Sequence, residues 1–344
     1  MKAKKITALI LALCMVFMFA ACSGSGSGSD STDAQGEGSA EGLEDFNIVL
    51  DWYPNAVHSF IYVAIEKGYY EEEGLRVNVQ FPANTNDAIT MTAAGKADAG
   101  LYYQPNIIQT AVNQKIPIKI LGTVVQHPLN VVISMKDSGI NSANDLRGKK
   151  LGYPGTTDNE YYVAAMAKHN GFSPDEIEML DVGFDINSSL ITGNVDAIIG
   201  AYINHEYPEL LNEGFDVTYF DISEEGVPDY EELVLITGEA QVQSESDKLA
   251  RFMRASKRGF EDMKNNPEEA LSILLANQDK ANYPLNPEVE TMSMEILLPL
   301  MSSDEHGFLE INEESWQNLA VWEKDIGIIS EDVDMDTLVA KIDG

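Results

Sequence analysis

Ile48-Val49-Leu50-Asp51-Trp52-Tyr53-Pro54-Asn55-Ala56-Val57-His58 is a short apolar run that stops in a loop carrying two aromatic rings, an amide and an imidazole. The run is too short for a helix. Pro54 removes a donor and fixes φ, and Tyr53 before it is pushed toward extended geometry, so a strand ends there. Phe60, Ile61, Val63, Ala64 and Ile65 then predict a helix that stops at Gly68. Ligands of open α/β sheets bind beyond the carboxyl ends of the strands, which turns this loop toward a cleft. Trp52 and Tyr53 also have a second reading, as core aromatics capping an apolar layer.

Outward from that loop the pattern continues. Gly74 to Phe81 alternates apolar and polar residues, a second strand ended by Pro82. Asn84 or Asn86 can cap a helix over Ile89, Met91 and Ala94 that stops at Gly95. Ala97 to Tyr103 is a short strand ending on aromatics, Ile107 to Val112 suits a helix, and Lys119–Val125 and Val131–Met135 are strands. Strands alternating with helices predict a parallel, doubly wound sheet. At Ile140 the pattern restarts, with a strand over Lys150 to Tyr153, a Gly-containing loop through Glu160 and a helix to about His169. Gly95-x-x-Asp98-Ala99 returns as Gly193-x-x-Asp196-Ala197, each Gly ending a helix and each Asp-Ala beginning a strand. Two related α/β lobes follow from that echo. After a strand near Leu233 to Thr237, the return crossing, the chain reads as helices over Asp247–Lys264, Pro267–Ala276 and around Trp316 to Trp322. They pack on the first lobe.

The sequence has 344 residues, 44% of them hydrophobic, enough for about two domains. Its formal net charge of −34 repels phosphate backbones, which argues against nucleic acid as a partner. Lys2, Lys4 and Lys5 precede an apolar stretch from Ile6 to Phe19 that is too short for a comfortable membrane span. It ends at Phe19-Ala20-Ala21-Cys22, and small residues before a Cys resemble the lipobox of bacterial lipoproteins, although Phe19 departs from the usual aliphatic residue. The expected organisation is a signal peptide over 1–21, lipidation at Cys22 and a flexible Gly/Ser/acidic linker over 22–43. An ordinary signal peptide with a chance Cys is the alternative. Cys14 lies inside the leader, so the mature body has no thiol for a disulfide, a thiolate metal site or a nucleophile.

Asp51-Trp52-x-Pro54-Asn55-x-x-His58, Tyr62-Val63-Ala64, Lys67-Gly68-Tyr69-Tyr70, Gly95-Lys96-Ala97-Asp98, Asp145-Leu146-Arg147-Gly148-Lys149-Lys150-Leu151-Gly152 and Asn204-His205-Glu206 together resemble the periplasmic-type binding proteins related to yeast thiamine-pyrimidine synthase. The Trp-x-Pro-Asn-x-x-His block is the specific part. The resemblance implies a type II periplasmic-binding-protein fold, with lobe 1 over 44–132 and 233–344, lobe 2 over 133–232, and a mostly parallel sheet flanked by helices in each. It implies a non-enzymatic, monomeric solute-binding lipoprotein on the extracytoplasmic face of the cell membrane. Such a protein would deliver a thiamine-pyrimidine precursor, formylaminopyrimidine or hydroxymethylpyrimidine, to an ABC transporter permease. It needs no cofactor and no metal. Other planar or sulfonated solutes, riboflavin, aromatic acids or taurine-like molecules, are the alternative cargo. Fungal relatives are enzymes that consume their own His and need a Cys-rich iron segment, which this sequence lacks.

Four strand-end loops are expected to meet in the cleft. Trp52 offers a stacking face, with Asn55 and His58 beside it. Tyr102 or its neighbour Tyr103 offers another ring, or packs in the core. Gly155, Thr156 and Thr157 precede a helix and present oriented donors, with Glu160 close by. Tyr202, Asn204 and Glu206 form the fourth loop, where the Glu206 carboxylate can accept hydrogen bonds from an aminopyrimidine edge. Glu206 also reads as a solvated helix-start acid, and His58 as a satisfied structural histidine. The five histidines show no metal-ligand spacing, and no Ser or Thr sits in a nucleophile elbow.

Overall fold

Among the described residues, ten strands build two five-stranded sheets with helices between them. A computed structural model describes residues 42–84, 86–155, 157–183 and 185–342. In chain order the strands are β1 Glu44–Val49, β2 Leu75–Gln80, β3 Ala99–Tyr103, β4 Ile118–Val125, β5 Asn130–Met135, β6 Lys150–Tyr153, β7 Glu178–Asp181, β8 Ala197–Tyr202, β9 Val217–Asp221 and β10 Leu233–Gly238. The first sheet runs β2-β1-β3-β10-β4 and the second β7-β6-β8-β5-β9, the same order twice. In each, one strand runs against the other four: β10 lies antiparallel to β3 and β4, and β5 to β8 and β9. Each sheet is therefore mostly parallel, as expected, with a single reversed strand. The reversed strands are those reached by the two crossings between sheets, 126–129 and 222–232. A strand delivered from the other lobe enters its sheet from the opposite end.

The Gly/Asp echo has a structural cause. Asp98 N–H donates to Asn47 O at 2.8 Å while its carboxylate accepts Asn47 N–H at 2.7 Å. Asp196 does the same to Lys150, at 2.8 Å for both bonds. Each Asp thus locks the strand that follows it to its parallel neighbour, β3 to β1 and β8 to β6. Gly95 and Gly193, at φ 67° and 70°, end the preceding helices in the left-handed region where a side chain is strained.

Sequence-predicted helices appear as Ser59–Glu66, Asp87–Ala93, Thr157–His169, Ser246–Asn265, Pro267–Asn277 and Glu313–Asp325. Neither Asn84 nor Asn86 caps the helix at Asp87 through its side chain; the Asp87 carboxylate reaches back to the N–H groups of Ala83 and Asn84 at 2.8 and 2.9 Å. The helix expected from Ile107 begins earlier, at Gln104, with Pro105 in its first turn, and widens into a π-helical turn at Thr110–Gln114. A helix at Pro287–Met301 was not expected. In the first lobe, Phe46, Ile48, Phe60, Leu101, Phe252 and Phe260 share one core beneath the sheet, with Phe46 stacked on Phe252 at 4.2 Å. The amphipathic face of Ser246–Asn265 is buried there.

Candidate binding site

The loop after β1 is held by a closed set of hydrogen bonds. Asn55 caps the short 3-10 turn Ala56–His58, its Oδ1 accepting Val57 N–H at 3.1 Å and its Nδ2 donating to Tyr53 O at 3.2 Å. Asn55 N–H in turn donates to His58 Nδ1 at 3.1 Å. That bond leaves the ring hydrogen on Nε2, which donates to Asp51 Oδ1 at 2.9 Å. His58 is wholly buried with both nitrogens engaged, so it fixes the loop. Asp51 Oδ2 accepts the Tyr103 hydroxyl at 2.9 Å, tying the loop to the end of β3. Burial, first, and the neighbouring Asp51 push the Tyr103 hydroxyl well above its usual range, so it remains a donor. Tyr102 donates to Asn86 Oδ1 at 2.8 Å.

Trp52 stands outside this network. It is 39% exposed, and its ring meets Tyr53 edge-on with centroids 5.6 Å apart. Tyr53 itself lies flat on Tyr283 at 3.6 Å, with Phe81 beside both. A cavity of about 140 Å³ opens here, bounded by Trp52, Asn55, His205, Tyr283 and Glu290 among others. That is small against the roughly 300 Å³ where drug-sized pockets begin, a size for a single ring. Glu290 accepts Ala56 N–H at 2.7 Å, and burial raises its carboxyl above the usual value.

From the second lobe, Tyr202 donates to Glu232 Oε1 at 3.0 Å, and its ring meets Tyr103 edge-on across the cleft at 6.5 Å. Glu206 begins the helix Glu206–Asn212, its Oε2 accepting Tyr202 N–H at 2.7 Å and its Oε1 facing His205 Nδ1 at 2.8 Å. Each oxygen keeps a further lone pair. Burial opposes a charge on His205, but Glu206, Glu209 and Glu290 outweigh it and hold the imidazole up to about 9. It is His205, rather than Glu206, that lines the cavity. Asn204 is buried, and its Oδ1 has no partner.

Gly155 adopts φ +76°, and a Cβ there would stand 2.8 Å from the Asp181 carboxylate. Thr156 and the side chain of Thr157 lie outside the described residues. Glu160 is turned to Tyr153, whose hydroxyl it accepts at 2.8 Å. The structure therefore brings Trp52 and Asn55 together with His205 and Glu290, and leaves Tyr102 and Glu160 engaged elsewhere.

Glu231 and Glu232, on the second crossing, were not singled out from sequence. Glu231 accepts Thr123 Oγ1 at 2.6 Å, Asn312 N–H at 2.8 Å and the Trp316 indole, all in the first lobe. Glu232 accepts Leu129 N–H from the other crossing at 2.8 Å, besides Tyr202 from the second lobe. Successive side chains of an extended segment point to opposite sides, so one dipeptide clasps both lobes. Burial raises both carboxyls. Two acids directly before the apolar run at Leu233 were the available signal.

The family model described as "NMT1/THI5 like" matches residues 55–270. This chain belongs to that family. Over 282 residues it is 45% identical to a formylaminopyrimidine-binding protein of Halalkalibacterium halodurans, covering 82% of this chain and 85% of that one. It is 25% identical to a 4-amino-5-hydroxymethyl-2-methylpyrimidine phosphate synthase of Legionella pneumophila, covering 84% and 88%. The periplasmic aliphatic sulphonate binding protein of Escherichia coli superposes with a TM-score of 0.67 at 12% identity, covering 87% of this chain and 98% of the other. At that identity the likeness speaks to fold. The family member thus has a two-lobe periplasmic-binding-protein architecture.

Proposed function

We propose that this protein is the solute-binding component of an ABC importer, working on the extracytoplasmic face of the membrane. Its cargo is a thiamine-pyrimidine precursor of the 4-amino-2-methylpyrimidine type, such as formylaminopyrimidine. Lipid on Cys22, outside the described residues, holds it there, and it works as a monomer without catalysis or cofactor. One observation carries the ligand class: an exposed Trp52 lines a ring-sized cavity together with Asn55, Glu290 and His205. An aminopyrimidine offers a flat π-face, amino donors and ring-nitrogen acceptors. Carboxylate, imidazolium and amide groups answer each of these.

The charge balance argues against the sulfonate alternative. His205 brings one positive charge, but Glu206, Glu209 and Glu290 surround it, so an anion would enter a net negative site. Against the synthase reading stands the sequence, whose two Cys residues, Cys14 and Cys22, both precede the fold and leave no Cys-rich segment within it. Ligand contacts from both lobes exist together only when the hinge shuts, so binding works by stabilising the closed state. Calorimetric titration with formylaminopyrimidine, hydroxymethylpyrimidine, riboflavin and taurine tests the proposal. Binding of the pyrimidines alone is expected; a protein that takes taurine or riboflavin and ignores both pyrimidines has another cargo.

A further inference from the structure

Away from the aromatic cavity, a second polar cluster joins the lobes. Asp158, on the helix Thr157–His169 of the second lobe, accepts Asn106 Nδ2 at 3.2 Å and Gln109 Nε2 at 3.3 Å, both from the helix Gln104–Gln109 of the first. Gln109 Nε2 also reaches Glu323 Oε1 at 3.4 Å, so one amide stands between two carboxyl groups. Glu323, on the helix Glu313–Asp325, is wholly buried, and its Oε2 has no hydrogen-bond partner among the described residues.

We infer that closure of the lobes binds one proton at Glu323, because closing carries Asp158 across the cleft to a buried acid that has no cation to pair with. The groups on the packed elements agree, and the short helix Met335–Leu338 adds only Asp336, an exposed acid paired with Lys341 at 2.9 Å. The helix Gln104–Gln109 presents only amides there. The helix Thr157–His169 presents Asp158 and Tyr162, and its basic residues Lys168 and His169 lie at the far end. The second crossing adds Tyr230 and Glu232, both near Tyr162. Lys324 and Lys115 are engaged outside, with Asp332 at 2.5 Å and Glu331 at 2.8 Å. A charged Glu323 would be an unpaired buried anion, whereas a neutral one costs little. Burial, and then the Asp158 charge, raise its carboxyl to about 8 against the single Gln109 bond that lowers it.

When the lobes part, Asp158 leaves and water reaches the cluster, so Glu323 falls back toward the ordinary carboxylate range. The closed form then binds the proton more tightly than the open one. Closure, and ligand affinity with it, is fully favoured in acid. It weakens as pH rises toward about 8, by up to about tenfold per pH unit, and levels off above. This proton site goes beyond the proposed cargo and does not choose among ligands.

The test is calorimetric titration with formylaminopyrimidine at about pH 7 in buffers of different ionisation enthalpy, on the full chain, on Glu323→Gln and on Asp158→Asn. Wild type should take up close to one proton per ligand bound; Glu323→Gln, which keeps the Gln109 contact and the volume, should take up none, and Asp158→Asn clearly less. No uptake in wild type, or equal uptake in Glu323→Gln, overturns the inference. Failure of the pyrimidine to bind at all is instead a failure of the proposed cargo. Small-angle scattering of ligand-free protein then decides: the radius of gyration should grow between about pH 6 and pH 9 in wild type and not in Glu323→Gln. No growth, or equal growth, refutes the proton site.

Discussion

Trp52→Ala separates the binding reading from the structural one because the ring does so little for the fold. It is 39% exposed, and among the described residues its one ring neighbour is Tyr53, met edge-on. Removing a side chain so placed should change folding stability by no more than about 0.5 kcal/mol, read as an unchanged urea midpoint. The loop backbone stays, because Asn55, His58, Asp51 and Glu290 hold it without the indole. Binding should respond differently. Stacking of a flat heteroaromatic on an aromatic side chain is worth roughly 1–3 kcal/mol in other ring-binding proteins. At about 1.4 kcal/mol per factor of ten, the variant should lose about five-fold to more than a hundred-fold in affinity for formylaminopyrimidine. Trp52→Phe should recover most of that loss, since a smaller ring still presents a face. The assay is calorimetric titration of the three proteins beside urea unfolding of each. Equal affinity in wild type and Trp52→Ala would refute the stacking role. A loss of affinity that tracks a fall in stability would return Trp52 to the core reading.

Three further outcomes follow from named contacts. Asp51→Asn leaves either the His58 Nε2–H or the Tyr103 hydroxyl facing an amide donor in a buried setting, so urea unfolding should show a loss of about 1–3 kcal/mol; no loss would mean that the Asp51 clasp does not hold the loop. His205, held up to about 9 by the carboxylates around it, stabilises the fold in full below its ordinary value and loses that contribution as pH rises through about 9, so melting temperatures of wild type and His205→Gln should diverge at neutral pH and converge in base. Cys22→Ser should yield a protein no longer labelled by palmitate; a variant that still partitions into detergent would remove the lipid anchor.

What the sequence disclosed and what it hid divide along physical lines. Short apolar runs and the Gly/Asp echo marked the strands at the middle of each sheet, because a strand buried on both faces must be apolar and the Asp lock recurs with the fold, while period-2 alternation marked the half-buried edge strand Leu75–Gln80. The strands at Glu178–Asp181 and Val217–Asp221 were not legible. Both are edges of the second sheet, short and half polar, and hydrogen bonding to one neighbour rather than side-chain burial makes them strands. The helix Pro287–Met301 hid behind its own punctuation: Pro287 opens its first turn, where a missing N–H costs nothing, and Pro299 falls in its last. Glu290, the cavity acid, was lost with it.

Among the site residues the same distinction holds. A motif fixes which side chains recur together, and Trp52, Asn55 and His58 were found that way. It does not say which of them faces solvent and which faces the backbone. His58 turned inward because Asn55 N–H and Asp51 together satisfy it, whereas Trp52 is left 39% exposed at the cavity. In a chain with 56 acidic residues, composition marks all of them as a solvated surface. Only the meeting of distant segments makes Glu231, Glu232, Glu290 and Glu323 different. Each is buried by contacts spanning eighty or more residues of chain, and each is raised above its ordinary carboxyl value by that burial. Stability should therefore fall as pH rises past the ordinary carboxylate range, in a protein whose high net charge already opposes compaction. Such acids are retained at a cost to stability, and the four stand at the crossing, at a contact between the lobes or beside the Trp52 cavity. Conversion of Glu231, Glu232 and Glu290 to Gln should raise the urea midpoint near neutral pH while weakening ligand binding; a stabilised variant with unimpaired binding would show that these three buried acids serve neither hinge nor site.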